Sequence, residues 1–431
     1  MNDSQTSSSA KPRLCVMMFL QFFIWGVWYV PMFPFLSKLG VDPVKIGFAY
    51  SLTGVAAIIS PIFVGMIADK FFPSQIVLGV LHLLGGVFLF LSSKATDWAS
   101  FYPFILAHLL CYMPTLALVN SVLFQSVTDP QKDAPPIRTL GTLGWIASGI
   151  VVGSAFILAD GTLSFQTPGF LGGPAAPAGS TDLGSTNTPL IIGAGASILL
   201  GLFCFLLPNT PPQLKGQKTT IGDVLGLKAL KLMRDPSFAV FIICSLLICI
   251  PLSFYYQTAN GFLKAMGVSN SEGVMTLGQV SEIFFLLLVP FFFKKIGVKN
   301  MLLIGMAFWV IRYLCFANAS PSAHTLLFLG VLAHGICYDF FFFTGQLYVD
   351  KRAPNDIRSS AQGFIAFVTL GVGMFIGGNV NGWWNGKQTT GSGDDAVVNW
   401  AAVWYFPAIM AAVVLVAFFL LFKDNDRAEA A

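Results

Sequence analysis

Two acidic side chains of this chain sit where an acid is hardest to keep. Glu282 lies in LGQVSEIFFLLLVPFFF and Asp339 in LAHGICYDFFFFTGQLYVDK, each in the middle of an apolar run. A carboxylate at the centre of a bilayer costs about 3 kcal/mol on insertion scales, so such groups face a bundle interior or a wet cavity. Taken out of water, a carboxyl is favoured in its neutral form, and gain or loss of a proton can be tied to a change of shape. Gln279 precedes Glu282 by one helical turn and shares its face. Arg138, in DAPPIRTLGTLGWI, is followed on the same stripe by Thr142 and Trp145. An arginine, a hydroxyl and an indole in a row could clamp a planar polar solute. Each feature also has a plainer reading. Asp339 could be a hydrogen-bonded structural acid, Gln279 and Glu282 could be glue between helices, Arg138 could be an interfacial arginine reaching for water, and the stripe could be packing.

Other polar residues in apolar stretches carry less. Gln21, Trp25 and Trp28 share one helix face, which reads as packing. Asn120 needs a partner if buried. His82, His108 and His334 read as satisfied core histidines, with more weight on His334 because Tyr338 and Asp339 follow it closely. Arg312 could pair with a carboxylate or reach a helix end. No HExxH, GxSxG or phosphate-binding glycine loop is present, so an enzyme is not expected, nor ATP-driven work by this chain. The seven cysteines lie in apolar stretches without metal-ligand spacing. No metal or cofactor is implied.

The elements that must position these groups follow from composition. The chain has 431 residues, 55% hydrophobic and 10% charged, with 42 phenylalanines and 42 glycines. That is far too few charges for a soluble surface and fits an all-α integral membrane protein. A spanning helix needs about 20 apolar residues. Twelve stretches qualify: 14–36, 44–67, 73–93, 101–126, 138–159, 189–208, 236–259, 272–293, 300–317, 324–349, 358–382 and 398–422. With the N-terminus inside, eighteen of the 24 lysines and arginines fall on or near the cytoplasmic side and five outside, a strong positive-inside bias. Both termini are therefore expected in the cytoplasm.

The pattern divides the chain. Residues 1–13 read as a disordered polar tail, 14–208 as a six-helix bundle with an external loop at 160–188, and 209–235 as a basic cytoplasmic linker. Within that linker, Ile221 to Met233 has the spacing of an interfacial amphipathic helix. Residues 236–422 form a second six-helix bundle, and 423–431 a cytoplasmic tail. Six spans plus six is the two-bundle transporter plan. After the second span, GMIADKF places Gly65, Asp69 and Lys70 as in the loop signature of the major facilitator superfamily. After the eighth, PFFFKKIGVKN keeps the basic residues and lacks the aspartate.

Taken with FLQFFIWGVWYV, AHLLCYMPTLALVNS, DAPPIRTLGTLGWI, YDFFFFTGQLYVDK and IRSSAQGFIAFVTLGVGMFIGG, these strings resemble the bacterial nucleoside:proton symporter family of that superfamily. The resemblance runs in order from about residue 15 to residue 422. It implies the major facilitator fold, a nucleoside as the small-molecule substrate, protons as the coupled ion, import by alternating access, and a multi-pass place in the lipid bilayer of the inner membrane. A monomer without a nucleic-acid partner is expected. Residue by residue, it implies that Arg138, Thr142 and Trp145 line the solute site, the tryptophan standing where phenylalanine is usual. Gln279 and Glu282 would bind sugar or base, and Tyr338 with Asp339 would form the aromatic–acid pair, the aspartate carrying the proton. Three positions depart from the pattern: Ser253 and Tyr256 replace amides, and His334 replaces a tyrosine. These departures leave open a same-fold porter for another polar solute, such as a sugar, a modified nucleoside or a drug. An uncoupled facilitator and a non-transporting sensor also stay open.

Overall fold

The computed structural model describes residues 10–167, 174, 176–212, 222, 226–322, 324–354, 357–391 and 396–423, without the side chains of 61–63, 65–70, 130, 131 and 359. Apolar composition dictates helices, because a backbone in lipid must satisfy its own polar groups. Among the described residues, ten helical stretches are long and apolar enough to cross a membrane. In chain order the helices are α1 (Ala10–Tyr29), α2 (Met32–Lys38), α3 (Pro43–Lys70), α4 (Ser74–Ser93), α5 (Trp98–Tyr112), α6 (Thr115–Ser126), α7 (Pro130–Gly153), α8 (Thr188–Phe203), α9 (Pro236–Ala265), α10 (Ser271–Ala317), α11 (Thr325–Leu332), α12 (His334–Tyr338), α13 (Thr344–Arg352), α14 (Arg358–Ala366), α15 (Met374–Gln388) and α16 (Trp400–Leu421). A π-helical turn, Asp339–Phe343, joins α12 to α13, and another, Phe367–Gly373, joins α14 to α15.

Several expectations need correction. The helix bearing Arg138 starts at Pro130, not at 138, and ends at Gly153. Pro130 stands at its first position, where proline is tolerated, and Pro135 and Pro136 lie within its opening turns without ending it. Beyond Gly153 the chain turns extended: β1 (Ala155–Ile157) pairs antiparallel with β2 (Leu163–Phe165) and with β3 (Thr181–Asp182). A second small hairpin joins β4 (Thr389–Thr390) and β5 (Val397–Val398). The fold is thus helical with two minor sheets. Residues 10–13 are helical rather than part of a disordered tail, and Lys11 pairs with Asp133 at 2.7 Å. In the linker, Leu227–Arg234 forms a 3₁₀ helix, while most of 221–225 lies outside the described residues. The side chains of Gly65, Asp69 and Lys70 also lie outside them.

The stretches 272–293 and 300–317 lie in one long helical run, α10, broken at Gly297, whose φ of 76° a side chain would oppose. Outside the spans, Asp97 caps α5. Its carboxylate accepts from the Ser100 amide at 2.8 Å and hydroxyl at 2.7 Å, and those bonds hold it below the usual carboxylate range.

The chain forms two compact units. One comprises Met1–Val41, Ala56–Thr219 and Ser269–Thr276, and the other Asp42–Val55, Thr220–Val268 and Leu277–Ala431. In the first, α1 packs along α7 and α8, and α4 along α5 and α8. Its core holds a closed polar network: Gln21 donates to Thr115 at 2.7 Å and meets His82 at 2.8 Å, His82 meets Ser197 at 3.2 Å, and the Tyr112 hydroxyl donates to the Gln21 carbonyl. In the second, α9 packs along α15 and α16, and Gln257, Thr258, Asn381 and Asn385 interlock by their side chains.

Candidate functional site

In the first unit, α7 carries Arg138, Thr142 and Trp145. Arg138 is exposed, and Thr142 and Trp145 are half-buried. The Arg138 guanidinium makes no hydrogen bond or ion pair among the described residues. Trp145 packs edge-on to Trp25 of α1, with ring centroids 5.6 Å apart, and Trp25 in turn meets Tyr29 and Tyr112. The α1 stripe read as packing thus adjoins the α7 stripe. Ring faces and an uncommitted cation on one unit can stack a heterocycle and bind its polar edge.

In the second unit the predicted residues come together around one ring. His334 is 1% exposed. Its Nε2 stands 3.7 Å from Oε2 of the half-buried Glu282, slightly beyond hydrogen-bond length. Tyr255 stacks on the imidazole at 5.1 Å, Tyr256 meets it edge-on at 6.2 Å, and Tyr338 tilts against it at 5.5 Å. The close approach has a sequence cause. Gly335 lies against the backbone of Ser281 and Glu282, and a Cβ there would overlap their carbonyl and amide. The Ser281 hydroxyl also ties α10 to the end of α11 by donating to the Leu332 carbonyl at 2.6 Å.

Asp339 opens the π-helical turn and is 2% exposed. Its Oδ2 is buried with no hydrogen-bond partner, as is Oε1 of Gln279. Buried polar atoms are nearly always paired with protein or water, so these two acceptors are placed for a ligand, a water or a proton. No group of three His, Cys, Asp or Glu side chains suited to a metal occurs among the described residues.

Ser253 is buried and donates to the Cys249 carbonyl of its own helix at 2.9 Å, with Met374 sulfur at 3.6 Å. Sequence reasoning missed Tyr255. Its only signal was adjacency to Tyr256, and a stacking role depends on which neighbour the helix turns toward the histidine. Of the two fates open to Arg312, the structure shows the helix end: Nε donates to the Gly330 carbonyl at 2.9 Å.

A family model described as Nucleoside H+ symporter matches residues 8–427. YegT of Escherichia coli (strain K12), whose name assigns it to nucleoside transport, is 44% identical over 420 residues, 96% of this chain and 94% of that protein. The xanthosine permease of the same organism is 31% identical over 434 residues, 97% of each. A crystal structure of the nucleoside transporter NupG superposes with a TM-score of 0.81 at 30% identity, covering 96% of this chain and 99% of that one.

Proposed function

The chain belongs to the nucleoside H+ symporter family, and we propose that it is an inner-membrane transporter importing nucleosides by proton symport through alternating access. The observation that carries the reading is the pair of carboxyls, Glu282 beside His334 and Asp339 with one oxygen unpartnered among the described residues, kept inside the second unit of a chain that matches this family almost end to end. Counting the two limbs of α10 separately and adding α7 to the other nine long helices gives twelve spans. Positive-inside charge then sets both termini in the cytoplasm. We read 14–208 and 236–422 as the two six-helix halves of a major facilitator fold, joined by 209–235, in a protein that works as a monomer.

In this mechanism Trp145 stacks on the base, and Arg138 and Thr142 hydrogen-bond its polar edge. Gln279 and Glu282 bind ribose hydroxyls or the base, with Tyr338, Tyr256 and His334 forming an aromatic wall. Ser253 contributes by holding α9 in place. Asp339 takes a proton from the outer solution and releases it to the cytoplasm. The Gly65, Asp69 and Lys70 motif, at the end of α3, serves the conformational change.

The test is a thermal-shift screen of the purified protein against nucleosides, free bases and sugars. A ligand at a hundred times its Kd stabilises the native state by about 2.7 kcal/mol. Uridine or adenosine should raise the melting temperature and sugars should not. A shift with sugars alone would assign the fold to another solute. A shift with uridine but no alkalinisation of the medium on adding it to loaded vesicles would make the protein an uncoupled facilitator.

A further inference from the structure

We propose that Arg312 is a fixed counter-charge that sets the number of protons needed to neutralise the interior of the second unit to one. This rests on the symport reading and adds to it a residue outside the solute-contacting set.

Arg312 is completely buried, 0% exposed, and no carboxylate lies within ion-pair distance of it among the described residues. Its neighbours are dipoles and ring faces. Nε donates to the Gly330 carbonyl at 2.9 Å, and one terminal nitrogen reaches the Val331 carbonyl at 3.5 Å. These carbonyls close α11, the negative end of a helix dipole. The guanidinium lies over the Tyr255 ring, 3.8 Å from its centroid, and 5.2 Å from that of Trp309. The other terminal nitrogen, Nη1, has no hydrogen-bond partner of good geometry among the described residues, and the Tyr313 hydroxyl stands within electrostatic reach of the guanidinium. Carbonyls and rings solvate a cation without cancelling its charge, and an uncompensated buried charge is costly. A cation held this way persists only if something else in the same interior balances it.

The balancing groups are one ring away. The Tyr255 ring contacts both Arg312, at 3.8 Å, and His334, at 5.1 Å, and His334 faces Glu282 at 3.7 Å. Gly278 makes the crowding possible: a Cβ there would stand 3.1 Å from the Tyr255 hydroxyl and 3.0 Å from Cβ of His334. The titratable and charged groups facing His334 are Tyr255 and Tyr256 from α9, Glu282 and Arg312 from α10, and Tyr338 on its own segment; Asp339 follows and lies within electrostatic reach of Glu282. With both carboxylates ionised and His334 neutral, the interior carries two negative charges and one fixed positive charge. One proton brings it to zero. Without the arginine, two would be needed. A neutral interior is the state that reorients at least cost in a low-dielectric surround. The proton comes from external water, rests on a carboxyl oxygen and leaves to internal water, so no other reactant is required.

The experiment uses the full chain in liposomes with uridine as the probe and the membrane potential clamped at zero. With a gradient of one pH unit, acid outside, one proton per solute supports at most about tenfold accumulation and two protons about a hundredfold. Wild type should stop near tenfold, with an initial rate proportional to external proton concentration. Arg312→Lys, which keeps the charge and loses the planar fork, should retain both. Arg312→Gln should show a rate rising with the square of proton concentration, and a rate at least tenfold lower at neutral pH. A hundredfold limit for wild type overturns the proposal, and this readout stands even if Arg312→Gln does not fold. So does a lysine variant as impaired as the glutamine one, or a glutamine variant indistinguishable from wild type. Wild type that gathers no uridine under the gradient overturns the symport reading itself, a distinct outcome.

Discussion

At the scale of single residues, the two carboxyls hold different positions, and the tasks proposed for them follow that difference. Glu282 is half-buried and beside an imidazole, with Gln279 one turn away. Asp339 is sealed, with one carboxyl oxygen lacking any partner. A carboxyl oxygen with no hydrogen-bond partner among the described residues suits a proton that must come and go, and an acid beside polar groups suits a solute. Asp339→Asn keeps the shape and removes the titration. It should bring proton-driven accumulation of uridine down to the equilibrium level while a thermal shift with uridine persists. Accumulation against a gradient in that variant would move the proton to Glu282. Both carboxyls are legible in the sequence because charge inside an apolar run is rare and costly. The fate of Arg312 is not legible there: a carboxylate and a carbonyl satisfy a guanidinium equally well, and only the third dimension brings Gly330 and Tyr255 to it.

At the scale of elements, the site depends on how closely two helices approach. Ser281 and Glu282 meet Gly335 backbone to backbone, which holds His334 and Asp339 at a fixed register against Glu282. Gly335→Val would force this contact apart. Overpacking of this kind costs about 1–3 kcal/mol, so the melting temperature should fall. Uridine affinity should fall further than for a valine placed at the lipid-exposed Leu287, and equal losses at both sites would deny the contact its role. The π-helical turn beginning at Asp339 belongs to the same design, since such turns re-aim side chains within a continuous helix. Sequence periodicity does not reveal it: DFFFF reads as helix under any hydrophobic pattern. Spans are legible because length and apolarity suffice to define them. The start of α7 is hidden because the paired prolines look like a break, yet the helix begins five residues before them, at Pro130. The strand Ala155–Ile157 reads as the end of a span because AFILA is apolar enough for either.

At the scale of the whole molecule, the reading becomes a statement about energy conversion. A nucleoside such as uridine is uncharged, so each transport cycle moves the charge of its protons alone. One elementary charge crossing the membrane is worth about 2.3 kcal/mol per 100 mV. At equal pH on both sides, a potential of 100 mV, negative inside, should therefore hold uridine at about 50-fold its external level for a single proton. Imposing such a potential with a potassium gradient and an ionophore, and following labelled uridine to its plateau, measures this directly. A plateau near the square of that value would require two protons per cycle and contradict the role given to Arg312. A plateau that ignores the potential would mean the proton is not moved with the solute, whatever the carboxyls do in binding. The buried charges of the second unit thus make a prediction readable without any substitution, because the protons that cancel the net charge of the interior and the charges crossing the bilayer must agree in number.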